Sequence, residues 1–263
     1  MIPFFIIGSG RSGSTFLYHL LSAHPKIALT NEAKITDLLC FFYEYSQLPA
    51  GQPNPTRAER GIISPVAIPV FSDVFQQHAQ QMLVEFYQHS FPDKSFSHWG
   101  DKLPDAACAI ALAEFLPETR YLVVMRDPRD TVSSYRSYGL RMGGEMADHV
   151  SQPIEVLAQS WVRTYDHIFK TLAPEQVSLV QYETLIADPM QTANRALKFL
   201  SLPPSDQVKK AWRTNQSFPE HGTSHSPQAS IGRWRQDLSP VDLDQVSSIC
   251  AEYLQRYYPQ NVA

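Results

Sequence analysis

The chain opens on an apolar run, Ile2 to Ile7, which gives way to a glycine-rich turn from Gly8 to Gly13 and then to apolar positions at helical spacing from Ser14 to Ala23. A short apolar run bounded by turn residues predicts a buried strand, and a 3.6-residue period predicts an amphipathic helix. An extended piece, Ile27 to Thr30, and a helical pattern over Lys34 to Ser46 follow. Leu48 to Pro69 holds five prolines and two glycines with no period of either kind, which predicts a long loop. Helix is expected from Ser72 to His89, with Phe71, Phe75, Met82 and Phe86 on one stripe, and extended chain from Phe96 to Lys102. A helix over Asp105 to Leu116 leads into the apolar strand Tyr121 to Met125, and another helix follows Arg126 to Asp130. Beyond a loop at Gly139 to Gly144, the pattern predicts helix Ile154 to Leu172, strand Val177 to Gln181 and helix Met190 to Leu200. The polar stretch Asn215 to Gln228 reads as a flap. The last helix starts at Ser239 as cap and Pro240, with Val246, Ile249, Tyr253 and Tyr257 on one face. Strands alternating with helices predict one α/β domain over residues 1–263, a central, mostly parallel sheet flanked by helices.

Composition narrows the function classes. With 263 residues, 43% hydrophobic and 18% charged, the chain is long enough to bury a substantial core and is not of disordered type. The formal net charge of -4 gives no support to a nucleic-acid or anionic-membrane partner, so any anion site must be local. Cys40, Cys108 and Cys250 are far apart and form no metal-binding spacing, which favours a reducing, cytoplasmic setting. The first apolar run lacks a basic flank and is shorter than a signal-peptide core, and no segment approaches the roughly twenty apolar residues of a bilayer span.

The turn Gly8-Ser9-Gly10-Arg11-Ser12-Gly13-Ser14-Thr15 lies between a strand and a helix, where exposed backbone N–H groups and the helix dipole favour an anion. The spacing nearly matches the nucleotide-triphosphate loop G-x-x-x-x-G-K-S/T, but Ser14 stands at the lysine position and the loop's cation is Arg11. The apolar strand 121–125 ends on Arg126, where magnesium binding calls for a carboxylate. Gly8, Gly10 and Gly13 also satisfy G-x-G-x-x-G, yet no acidic residue closes a good second strand about twenty residues on.

Five segments in order give the chain a resemblance to the sulfotransferases that use 3'-phosphoadenosine 5'-phosphosulfate. Gly10, Arg11, Ser12, Gly13, Ser14 and Thr15 resemble their 5'-phosphosulfate loop in the R-S-G-S/T-T form of the tyrosylprotein, carbohydrate and many bacterial members. Arg126 closing a strand, with Ser134 eight positions on, resembles the 3'-phosphate motif. Trp99-Gly100-Asp101-Lys102-Leu103-Pro104 is similar to the W-G-D/E-K-x-P segment, and Tyr182-Glu183 with Asp188-Pro189 to a Y-E-x-L-x-x-x-P stretch. Ser230-Ile231-Gly232-Arg233-Trp234 is similar to the late G-R-W segment that covers the nucleotide.

The resemblance implies roles as well as a fold of P-loop-like strand-loop-helix type. Arg11 would stabilise the transition state and Lys102 would reach the bridging oxygen. Arg126 and Ser134 would hold the 3'-phosphate, with Arg233, Gly232, Ser230 and Ile231 closing over the nucleotide and Tyr182 near the adenine or ribose. The cytosolic branch takes its base from a histidine where Lys102 stands here, so the base must lie elsewhere. Glu32, twenty-one residues after Arg11 as in the tyrosylprotein members, is the candidate; the bland alternatives are a helix cap or a pair with Lys34. His98, close in sequence to Lys102, is the fallback. The implied donor is 3'-phosphoadenosine 5'-phosphosulfate, with adenosine 3',5'-bisphosphate as product and no metal. The acceptor is expected to be a small metabolite, its determinants in residues 37–98, 136–152 and 215–230. A P-loop kinase or triphosphatase and a non-catalytic adenine-nucleotide sensor are the alternatives.

Overall fold

In a computed structural model, residues 1–36, 38, 73–103, 106, 107, 113, 116–142, 152–214 and 223–259 are described. Five strands form one sheet: β1 (Ile2–Ile7), β2 (Ile27–Asn31), β3 (His98–Leu103), β4 (Arg120–Met125) and β5 (Val177–Gln181). The helices around it are α1 (Ser14–Ser22), α2 (Asp73–Ser90), α3 (Pro128–Met142), α4 (Ile154–Thr171), α5 (Tyr182–Ala187), α6 (Pro189–Phe199), α7 (Asp206–Thr214), α8 (Trp234–Asp237), α9 (Pro240–Ile249) and α10 (Ala251–Tyr257). The strand order is β2-β3-β1-β4-β5, and every pair is parallel.

Alternation along each strand divides the core into two layers. Phe4, Ile6, Leu122 and Val124 face α1, α5, α6 and α7, where Leu17, Leu20, Leu21, Leu185 and Leu197 are fully buried. Phe5, Ile7, Tyr121, Val123 and Met125 face the other way, against α2, α4, α9 and α10, with Trp161, Tyr165 and Ile168 at the centre. Each fully buried large apolar side chain contributes about 1.5–3 kcal/mol relative to exposure. The chain leaves β1 towards β2 and leaves β4 towards β5, so the connections diverge between these two central strands. In open parallel sheets, ligands bind in the crevice at such a point, beyond the strands' carboxyl ends. The Gly8–Gly13 turn and Arg126 both sit at that edge.

Several expectations need correction. Helix α3 runs through Gly139 to Met142, where the sequence suggested a loop. In α2 the buried face is Ala79, Leu83 and Tyr87, whereas Met82 is exposed, so the stripe is rotated from the one predicted. This helix packs into the core through Ala79, Leu83 and Tyr87. The final helix is two, broken at Cys250, and α5 and α7 were not anticipated. Ser239 does cap α9, accepting from the Asp242 N–H at 3.1 Å. Residues 215–222 of the flap lie outside the described residues, as do Cys40 and Cys108; Cys250 is a buried free thiol. No helix among the described residues is long and apolar enough to cross a membrane.

Candidate active site

The turn after β1 is built by close approaches that only glycine permits. At Gly13 φ is +92°, and a Cβ there would lie 2.2 Å from the Tyr182 ring; at Gly10 it would meet the Tyr135 hydroxyl at 2.0 Å. Between them Arg11 takes a left-handed φ of 63°, which costs an L-residue about 1–2 kcal/mol. Ser14 and Thr15 begin α1, so the turn ends at a helix N-terminus. Ser12 is fully buried, and its Oγ has no partner among the described residues. Gly13→Ala should therefore lower the melting temperature, because the Tyr182 ring must move; thermal melting of the variant beside wild type reads this.

On one side of this turn stands Arg126, which closes β4. It is buried, donating to the Arg11 carbonyl at 3.4 Å and to the Ser230 carbonyl, with its guanidinium 4.7 Å from the centre of the Tyr182 ring. Its Nε is buried and without a partner among the described residues. An unmet charged donor and an unmet serine hydroxyl, both buried at the carboxyl edge of the sheet, fit a bound anion. Asp127, the next residue, is not available for a metal. Arg129 engages it through Nε at 3.0 Å and Nη2 at 2.8 Å, one contact to each carboxylate oxygen. Among the described residues no group of three His, Cys, Asp or Glu is gathered as a metal site.

A hydroxyl-rich nest continues from Arg126 along α3. The Arg11 Nε donates to Ser134 at 3.3 Å, and its guanidinium lies 4.4 Å from the centre of the Tyr138 ring. Burial holds the Arg11 pKa below its ordinary value. Ser134 and Thr223 share a hydrogen bond of 3.0 Å, and Arg233 donates to Thr223 at 2.7 Å, Ser224 at 3.2 Å and Ser137 at 2.7 Å. Ser137, Thr223 and Ser224 were missed from sequence, although Ser137 lies one helical turn beyond Ser134. The late segment is pinned by Asp130, another residue not foreseen: its carboxylate accepts the Gly232 N–H at 2.7 Å and the Trp234 N–H at 3.1 Å. Trp234 is buried with the Arg129 and Arg235 guanidinium groups each 4.2 Å from its ring. Ser230 shares a 2.8 Å bond with the Tyr182 hydroxyl, which is thus engaged by the late segment, while Ile231 is part-exposed.

Glu183, beside Tyr182, accepts the Asp127 N–H at 2.9 Å through one oxygen, and its other oxygen is buried without a partner among the described residues. Burial pushes its pKa up to about 7. The folded protein therefore binds a proton here that the unfolded chain has lost, and stability falls as pH rises from the ordinary carboxylate range through about 7. We expect the melting temperature to drop between about pH 5 and 7 and to level off above, and Glu183→Gln to flatten that slope.

On the other side of the turn, β3 and β2 bring Lys102 and Glu32 together. Their strands pair with Asn31 opposite Lys102, and the Glu32 N–H donates to the Lys102 carbonyl at 3.0 Å. The Lys102 ammonium, 4% exposed, donates to the Glu32 carboxylate, which is 52% exposed. Glu32 holds a left-handed φ of 58°, turning the chain out of β2 and leaving its carboxylate open to solvent at the sheet edge. It does not cap the helical turn at 34–36; Asp101 does, accepting from the Ala33 N–H at 2.8 Å and the Thr36 hydroxyl at 3.1 Å. His98 is not beside Lys102. It begins β3, opposite Ile2, at the far edge of the sheet, about 13 Å of strand from Lys102. There burial lowers its pKa, and its ring bonds with the Ser97 hydroxyl at 3.0 Å.

A cation-bearing turn thus lies between an arginine nest on the β4 side and an ammonium–carboxylate pair on the β3 side. Such an arrangement can hold a doubly anionic ligand across the turn and present one end of it to a group able to accept a proton. A family model described as the sulfotransferase family matches residues 3–206. Protein-tyrosine sulfotransferase 1 of Danio rerio is 25% identical over 209 residues, 78% of this chain and 54% of that protein, so the chain spans about half the length of this curated relative. Among solved structures, the sulfotransferase domain from the curacin biosynthetic pathway is similar with a TM-score of 0.60 at 17% identity, over 95% of this chain and 96% of that one. The sulfotransferase domain of the Synechococcus PCC 7002 olefin synthase gives 0.58 at 20%, over 95% and 94%. Mouse sulfotransferase SULT7A1, complexed with PAP, gives 0.54 at 12%, over 97% and 85%.

Proposed function

The chain belongs to the sulfotransferase family, and we propose that it moves a sulfuryl group from 3'-phosphoadenosine 5'-phosphosulfate to a hydroxyl or amino group of a small metabolite, with Glu32 as base and without a metal. The observation that carries this reading is the contact between Glu32 and Lys102 at the edge of the phosphate turn. A sulfuryl transfer needs a base for the acceptor, cations for the charge gathering on the leaving phosphate, and a frame that holds both. The donor would lie across the turn, its 5' end on Gly10 to Thr15 and its 3'-phosphate in the nest of Arg126, Ser134 and Arg233. Gly232 and its neighbours Ser230 and Ile231 would cover it, and Tyr182 would brace the turn against them.

In this reading Glu32 takes the acceptor proton as the acceptor oxygen or nitrogen bonds to sulfur. Lys102 has three N–H donors and spends one on Glu32, so it can hold the base in place and still reach the bridging oxygen of the donor. Arg11 spreads the charge of the transferring group through its planar fork. The kinase alternative needs a free carboxylate near β4, and Asp127 is committed to Arg129. A reducing cytoplasm, in secondary metabolism, is the proposed setting, in keeping with Cys250 as a free thiol.

A screen with labelled donor against phenols, aliphatic alcohols, amines, a tyrosyl peptide and a polysaccharide tests the acceptor class. Label in a small alcohol, phenol or amine supports the reading. Strong preference for the peptide, the acceptor named for the zebrafish relative, or for the polysaccharide would overturn it.

A further inference from the structure

Asp101 stands one residue before Lys102 in β3 and is fully buried, yet no role attaches to it in the proposed reaction. Its carboxylate accepts from the Thr30 hydroxyl at 2.9 Å, the Ala33 N–H at 2.8 Å and the Thr36 hydroxyl at 3.1 Å. These donors bracket Glu32: one precedes it on β2 and two follow it. The Tyr87 hydroxyl lies 2.9 Å from the Thr30 hydroxyl and donates to the Gly100 carbonyl at 2.7 Å, so the cluster packs against α2 as well. Burial raises the Asp101 pKa, and the bonds from Ala33, Thr30 and Thr36 oppose that rise.

The placement of Glu32 depends on this cluster. Its backbone is left-handed, a conformation an L-residue holds only when its surroundings over-determine it. The β2–β3 register fixes the chain up to Asn31, and the Asp101 carboxylate fixes it again from Ala33. One carboxylate therefore ties the two sides of the turn to the strand that carries Lys102. We propose that Asp101 is a positioning residue for sulfuryl transfer, clamping the turn at Glu32 so that the Glu32 carboxylate meets the Lys102 ammonium at the edge of the phosphate turn. The proposal rests on the reading of Glu32 as base. Asp101 touches neither donor nor acceptor; it acts through Glu32.

The test uses water as acceptor, so that no unidentified substrate enters, and follows release of adenosine 3',5'-bisphosphate from the donor. Four proteins form a cycle: wild type, Asp101→Asn, Glu32→Gln and the double variant. Asp101→Asn is expected to lower the rate about 10- to 100-fold, as loss of a supporting contact does, with donor KM and adenosine 3',5'-bisphosphate affinity within twofold of wild type. In the Glu32→Gln background the same change is expected to have no further effect, since there is no base left to position. Amide exchange should quicken at residues 31–36 and nowhere along β1 or β4. Thr36→Val, which removes one bond to Asp101, covers the case in which Asp101→Asn does not fold and is expected to lower the rate about threefold to tenfold. A rate unchanged in these variants, or lowered equally with and without Glu32, overturns the positioning role. A Glu32→Gln protein at full rate would instead overturn the base on which the proposal rests. Wild-type hydrolysis too slow to follow shifts the decision to amide exchange, where unchanged protection at 31–36 in Asp101→Asn defeats the clamp.

Discussion

Glu32→Gln is expected to lower the rate of sulfuryl transfer by about 10²- to 10⁴-fold, the usual worth of a positioned general base, and to leave the affinity for adenosine 3',5'-bisphosphate unchanged. The separation follows from the sheet. Glu32 ends β2 and meets Lys102 on β3, while the arginine nest lies on the far side of β1. The glutamine keeps the side-chain shape and an oxygen that can accept from Lys102, but it cannot take the acceptor proton. The glutamine oxygen still accepts from Lys102, but that ammonium, 4% exposed, loses its opposite charge, so a modest fall in melting temperature is expected beside the loss of rate. Steady-state rates on any acceptor from the screen, beside calorimetric titration of the product nucleotide, read the two quantities apart. Near-native turnover with intact binding would remove Glu32 from the reaction.

Arg126→Ala is expected to weaken adenosine 3',5'-bisphosphate about 100-fold or more, given about 1.5–3 kcal/mol for each hydrogen bond to a charged group and two or more such bonds in a forked contact. AMP, which lacks the 3'-phosphate, should lose far less, so the preference between the two nucleotides collapses. Arg126→Lys keeps the charge without the fork and should fall between. Some stability is lost too, because Arg126 donates to the Ser230 carbonyl and lies against Tyr182. The ratio of the two affinities is therefore the deciding quantity. Equal losses for both nucleotides would assign Arg126 to the frame alone.

What the sequence made legible was local. A strand, a glycine turn and a helix are contiguous, so the phosphate turn and Arg11 could be read from one stretch of chain, and Arg126 with Ser134 from another. Glu32 followed from a spacing alone. Its contact with Lys102 did not, because that depends on the register of two parallel strands nearly seventy residues apart. Asp101 was hidden for the same reason. His98 is four residues before Lys102, which in the extended chain expected over Phe96 to Lys102 is already roughly 13 Å of strand, so nearness in sequence did not make the two neighbours. Helix α7 escaped notice because Val208 is its one buried residue, too little for an apolar stripe; its partly buried Trp212 packs edge-on against Phe16 at 5.8 Å. The rotated stripe of α2 reflects small Ala79 and amphipathic Tyr87 facing the sheet in place of the larger Met82.

The most direct test of the account is calorimetric titration of the wild-type protein with adenosine 3',5'-bisphosphate and with ATP, each with and without magnesium. It examines the donor site alone, before any acceptor is known. Tight binding of the bisphosphate that does not depend on the metal and is lost when the 3'-phosphate is absent is the result the arrangement of Arg11, Arg126, Ser134 and Arg233 predicts. Preference for ATP with magnesium would contradict it and place the chain's chemistry with phosphoryl transfer.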